Sequence, residues 1–216
     1  MMRLLSLLPL LALLGSVTSV AADLRVHVTD GKGEPLADAV VLLRSPEAPA
    51  AAPDSPPGNA VLAQRGHRFV PFVLPIRRGT VVEFPNHDDT RHHVYSFSPA
   101  RTFEIELYRG DPGQTITFDT TGVVAVGCNI HDYMQAFIFV TDAPRFARSG
   151  ADGLVVFDDP GPGRRVVEVW HPWQQTDPEP RTLAAETTGV TLTVDLDLPP
   201  PRRPEENALQ KWVQDQ

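Results

Sequence analysis

The sequence predicts an all-β protein, and three features carry that expectation. Short apolar runs recur along the chain, some alternating with a period of two and some unbroken, and they are rich in Val, Ile, Phe and Tyr. Gly, Pro, Asn and Asp punctuate them, with 15 Gly and 22 Pro among 216 residues. No segment holds a helical period over a domain's length, and no internal repeat stands out. Closely spaced short strands of this kind fold as a β-sandwich or barrel.

The chain opens MMRLLSLLPLLALLGSVTSVAA, with one Arg, an apolar run from Leu4 to Gly15, then small residues. That layout predicts a secretory signal peptide over residues 1–22, with Ala22 the last residue before cleavage. The run is too short to span a bilayer comfortably. No Cys stands near the cleavage site to accept a lipid anchor. The expectation is export to the periplasm with no membrane span after cleavage. Losing Arg3 with the signal leaves 18 basic residues against 27 acidic ones, a net charge of −9. Such acidity argues against nucleic acid or an anionic membrane as partner.

The mature chain begins with LRVHVTD, where Leu24, Val26 and Val28 alternate with Arg25, His27 and Thr29. GKGEPLADA then supplies a turn and VVLLR a second strand. A Pro/Ala-rich stretch, SPEAPAAAPDSPPGN, marks a linker over 46–63. From 64 to 145 the strands come quickly: FVPFVLPI, TVVEF, HVYSF, FEIEL, QTITFD, VVAVG and QAFIFV. Residues 146–198 add further strands through SGADGLVVFDDPGPGRRVVEVWHP and TLAAETTGVTLTVDLDL. A Pro-rich tail, 199–216, closes the sequence, with a short helix around Glu205 to Val213 as one reading and an extended tail as the other.

The chemistry concentrates in GCNIHDYM, Gly127 to Met134. Cys128 is the sole cysteine, so an exported chain cannot bury it in an internal disulfide. Metal ligation or plain burial would protect it. A thiolate, an imidazole and a thioether in C-x-x-H-x-x-M spacing select a soft metal, copper above all. Zinc sites seldom use Met and usually hold more than one Cys. Haem attachment is excluded by the missing second Cys. A trigonal site needs a second His, and FPNHDDTRHHVYSF offers His87, His92 and His93. His87 and Asp88 read as turn residues. His92 and His93 fall on opposite faces of one strand. His27 and His67 have no motif around them. Trp170, His171 and Trp173 offer either a sugar-stacking surface or, the preferred reading, a strand end covering a small core.

C-x-x-H-x-x-M after a strand, with RHHV upstream, resembles the cupredoxins, or type 1 blue copper proteins, with a compact amicyanin-like ligand loop. FVPFVLPIRRGTVVEFPNHDDTRHHVYSFS with GVVAVGCNIHDYM is similar to a bacterial group of plastocyanin-like, methylamine-utilisation cupredoxins. The resemblance implies a Greek-key β-sandwich binding one copper, Cu(I)/Cu(II), through His92, Cys128, His131 and Met134. It implies outer partners of those ligands at Asn86, His93 and Asn129, and an apolar rim of Phe72, Phe97, Ile130 and Tyr133 beside His131. Two residues depart from the pattern: Ile130 replaces a common Pro and His93 a common Asn. The flanks, 23–45 and 146–198, resemble the two halves of a carboxypeptidase-regulatory-like domain. This is a small prealbumin-like, carbohydrate-binding-like β-sandwich, into which the copper domain would be inserted.

The function implied is periplasmic electron transfer to a redox partner protein of unknown identity, without catalysis. No H-x-H pair or His-Cys-His stretch builds a trinuclear copper cluster, and no second Cys builds a binuclear one. Copper handling, or carbohydrate or partner binding by the flanking sandwich, are the competing readings.

Overall fold

The computed structural model describes residues 22–46 and 57–197. The expected signal peptide, apart from Ala22, and the expected tail lie outside them. Seventeen strands and no helix occupy the described residues. In chain order they are β1 (Leu24–Asp30), β2 (Val40–Arg44), β3 (Asn59–Val61), β4 (Ala63–Gln64), β5 (Phe69–Val70), β6 (Val73–Arg77), β7 (Thr80–Glu83), β8 (His92–Ser98), β9 (Arg101–Tyr108), β10 (Thr115–Phe118), β11 (Gly122–Gly127), β12 (Gln135–Thr141), β13 (Arg145–Arg148), β14 (Leu154–Phe157), β15 (Arg165–Trp170), β16 (Arg181–Leu183) and β17 (Gly189–Val194). The linker expected over 46–63 is shorter than the composition suggested. Asn59–Val61 pairs in parallel with β7, because an edge strand tolerates the prolines just before it.

Two sandwiches result. The flanking one sets the sheet β14-β1-β17 against β13-β2-β15-β16. The alternation read in LRVHVTD is a core-and-solvent alternation: Leu24, Val26 and Val28 are buried in a cluster with Val41, Leu43, Val155, Phe157, Val167 and Val194. The inserted sandwich sets β10-β7-β3 against β6-β12-β11-β8-β9. Its core holds Phe84, Phe118, Val94, Val124 and Ile138, all fully buried, with Cys128 and Met134 at one end.

VVLLR does not alternate because β2 is buried on both faces. Val41 and Leu43 face the flanking core. Val40 and Leu42 face the other way and join Val73, Ala143, Phe72, Phe137, Phe139, Phe146 and Trp170 in a seam between the sandwiches. The Trp170 ring lies 4.9 Å from Phe139, and Trp173 lies 5.0 Å from Phe72. Phe72, expected on a partner-facing rim, is thus a seam residue. The insertion leaves from β2 and returns on β13, which are antiparallel neighbours pairing Leu43 with Arg145. The two junctions therefore lie side by side, and an inserted domain leaves its host sheet intact.

One turn of the host sandwich admits only glycine. Gly153 has φ of 70°, and a Cβ there would lie 2.4 Å from the Val28 carbonyl oxygen. Gly153→Ala is expected to destabilise the flanking sandwich by more than about 1 kcal/mol, read as a lowered urea midpoint with unchanged slope.

Candidate metal centre

The ladder of β11 and β12 ends at the pair Gly127–Gln135, and residues 128–134 close over it. The Met134 amide donates to the His131 carbonyl at 2.8 Å, and the Cys128 amide to the Met134 carbonyl at 3.1 Å. These bonds turn Cys128 and Met134 into the sandwich, where both are buried, and leave His131 half-buried at its rim. A Cβ at Gly127 would lie 3.0 Å from the Tyr95 ring, so a larger residue there would make that ring shift.

His92 opens β8 from the facing loop and is completely buried. Its Nδ1 lies 3.2 Å from His131 Nδ1, which lies 3.7 Å from Cys128 Sγ. One ligand atom from each of His92, Cys128 and His131 falls within 4.8 Å of the others. Met134 is buried beside them, in the same core cluster as Cys128. His93 faces away: its Nε2 lies 2.8 Å from Glu104 Oε1 and its ring packs 5.5 Å from Tyr95. A bulge between His92 and Val94 accompanies the divergence. Asn129 is exposed.

Asn86 serves the loop rather than the sulfur. Its Nδ2 donates to the carbonyls of Thr90 and Tyr108, and its Oδ1 accepts from the Asp88 amide at 2.9 Å. Tyr108 braces the same region, with its hydroxyl bonded to the Phe84 carbonyl. Burial pushes its pKa up to about 12, so it remains a neutral donor.

The turn reading of Asp88 misses its main contact. Its Oδ2 lies 2.8 Å from His92 Nε2, and its carboxylate also accepts the amides of Gly66 at 2.6 Å and His67 at 2.9 Å. Burial alone would raise its pKa. The bonds from the His67 amide, the His92 ring and the Gly66 amide outweigh that and hold it below the usual carboxylate value. An ionised Asp88 accepts the Nε2 proton of His92, so the His92 Nδ1 presents a lone pair toward His131 and Cys128. His131 is held below the usual His pKa by burial first, then by His92 and His67, with Asp88 opposing. Its imidazole is therefore neutral at pH 7, the form that ligates.

His67, which has no motif around it in the sequence, also lies beside the centre. Its ring centre lies 5.5 Å from that of His92 and 5.0 Å from that of His131. It sits in the four-residue turn between β4 and β5, where Gly66 and His67 have φ of 60° and 55°. Two consecutive positive φ values are what a type I′ hairpin turn demands. R-G-H-R between two short strands was the available signal, though nothing in it says what the turn folds against. At the outer rim Phe97 is 80% exposed, with Ile130 and Tyr133 also exposed. Tyr95, Phe97, Cys128, Asn129, Asp132 and Met134 line a shallow groove there. His171, in contrast, is buried in the seam region, and burial lowers its pKa to about 4.

The donor set fits copper: two imidazole nitrogens, one constrained to offer its lone pair, and a buried thiol beside a buried thioether. No protein-family model and no curated protein matches the chain. Solved structures do. A copper-containing nitrite reductase from Thermus scotoductus is 27% identical over 45% of this chain, with a TM-score of 0.36, and the match takes in 25% of that enzyme chain. Amicyanin from Paracoccus versutus is 23% identical over 46% of this chain and 97% of its own, with a TM-score of 0.34. A purple cupredoxin from Nitrosopumilus maritimus is 18% identical over 38% of this chain and 96% of its own, with a TM-score of 0.32. The chain resembles each of these proteins over less than half its length. Its own strand topology and donor cluster define it as an all-β protein with a His-Cys-His group at one end of a sandwich.

Asp88→Asn replaces the obligate acceptor facing His92 Nε2 with a group that can also donate. Metal affinity is expected to fall about 10- to 100-fold, measured by competition titration with a chromophoric chelator, and the melting temperature to drop as the neutral amide weakens the bonds to the Gly66 and His67 amides.

Proposed function

We propose that the chain is an exported mononuclear type 1 copper protein that carries electrons in the periplasm and performs no bond-making catalysis. The observation that carries this reading is the convergence of His92, Cys128 and His131 within 4.8 Å from two separate loops. His92, Cys128, His131 and Met134 would hold the metal. Bound copper supplies one-electron exchange between Cu(II) and Cu(I). The chain supplies the rest. Buried Cys128 and Met134 keep water from the sulfur side. Asp88 fixes the His92 ring, and the two loop bonds within 128–134 hold the other three donors before metal arrives. Pre-ordered donors need little rearrangement between oxidation states.

Half-buried His131, with exposed Tyr133 6.0 Å from it and exposed Ile130 next to it in the chain, is the side on which a redox partner protein would dock. The plastocyanin-like, methylamine-utilisation grouping belongs to this reading, as does a carboxypeptidase-regulatory-like identity for the flanking sandwich. The sugar-binding alternative loses its motivating side chains, since Trp170 packs on Phe139 and Trp173 on Phe72.

Copper(II) loading of the mature chain is expected to give an intense visible thiolate-to-metal band and a reversible redox wave. Cys128→Ser abolishes the band while leaving the far-ultraviolet dichroism unchanged. A copper-loaded wild type that is colourless in the visible rejects the reading. A visible band with rapid transfer of Cu(I) to an apo-acceptor, and no reversible wave, favours copper handling instead.

A further inference from the structure

The three imidazoles of His67, His92 and His131 stand as a near-equilateral trio, with ring centres 5.0, 5.0 and 5.5 Å apart and ring planes inclined by 62° to 89°. An ion bonded to imidazole nitrogen at about 2.0–2.1 Å lies about 3.2 Å from each ring centre, so tetrahedral or trigonal placement separates the centres by about 5.1–5.5 Å. Packed rings elsewhere in the fold stand at similar spacing, as His171 and Trp173 do at 5.3 Å; what distinguishes this trio is that all three rings are imidazoles and two of them lie in the donor cluster with Cys128. We propose that His67 is a third imidazole ligand of the metal, so that the centre is built from three His and Cys128. This rests on the metal-binding reading above and adds a donor to it.

The backbone around His67 is fixed by its hairpin turn and by Asp88. A non-glycine residue with φ of 55° is uncommon, and such conformations gather at ligand-binding sites where the surroundings enforce them. Here the enforcing group is Asp88, which takes the Gly66 and His67 amides on the same carboxylate that orients His92. One side chain therefore places two of the three rings. The His67 nitrogens are not among the donors that fall within 4.8 Å of one another. The proposal therefore requires the His67 ring to turn as metal binds, and the Cβ–Cγ bond offers a soft, roughly two-fold torsion for it. His67 is only half-buried, so that turn is open to it.

A third nitrogen changes the ligand field. Two imidazoles, a thiolate and a distant thioether favour a trigonal copper site. A third imidazole beside them favours a more nearly tetrahedral one.

The test counts imidazoles. Pulsed electron paramagnetic resonance on the Cu(II)-loaded full chain resolves couplings from the remote ring nitrogens. Three imidazoles are expected in the wild type and two in His67→Asn and His67→Gly, substitutions that both tolerate the left-handed backbone. Added free imidazole restores the third coupling in His67→Gly, and Met134→Leu leaves the count at three. Co(II) affinity is expected to drop more than about 100-fold in His67→Asn, beyond the loss typical of an outer partner. Two imidazoles in the wild type, together with a thiolate band, overturn the assignment of His67 and leave the copper reading standing. Absence of any thiolate band overturns both. The wild-type count decides the matter even if a variant fails to fold.

Discussion

The centre depends on one carboxylate. Asp88 is almost wholly enclosed, its side chain only 11% exposed, and it accepts three hydrogen bonds: from the His92 ring and from two successive amides of the β4–β5 turn. A charged acceptor in such a place is stable only because it is this fully satisfied. Bonds to charged groups are worth about 1.5–3 kcal/mol each, enough to hold a turn in positive φ against its own preference. Through that one group, a hairpin, the start of β8 and the tautomer of His92 become a single mechanical unit.

Asn86 extends the unit backwards. It ties the Asp88 turn to Thr90 and to β9, so the loop that precedes His92 is fixed at both ends before any donor is considered. On the facing side, the two backbone bonds within 128–134 do the same for Cys128, His131 and Met134. The donors are presented by short, tightly bonded loops on a rigid sandwich, so they stand close together without an ion. The flanking sandwich contributes through the seam. β2 gives one face to the flanking core and the other to the seam, so a strand of the flanking sheet packs directly on the inserted sandwich.

Much of this was legible from residue types. Alternation in LRVHVTD, turn residues between short apolar runs, and C-x-x-H-x-x-M each report a local property: the pleat period, the backbone conformations of turns, or the spacing of donors along one loop. The expected linker runs too far because β3 is only three residues long, Asn-Ala-Val, and too short to show a period beside a Pro/Ala-rich stretch. Phe72 was put on a rim because an exposed aromatic and a seam aromatic have the same identity and differ only in what lies opposite. Asp88 in N-H-D-D has strong turn composition, and it does sit in a turn. Its second role depends on a histidine four residues on and on a hairpin 21 and 22 residues back.

The amino-acid order by itself determined the all-β class and the cluster of soft donors, because strand periodicity and loop spacing act between residues close along the chain. Only the tertiary structure decided that His92 rather than His93 meets Cys128. The two share a strand and point to opposite faces, and packing chooses which face lies inside. It alone brought His67 beside the centre, since no rule of local sequence says what a hairpin turn will be folded against.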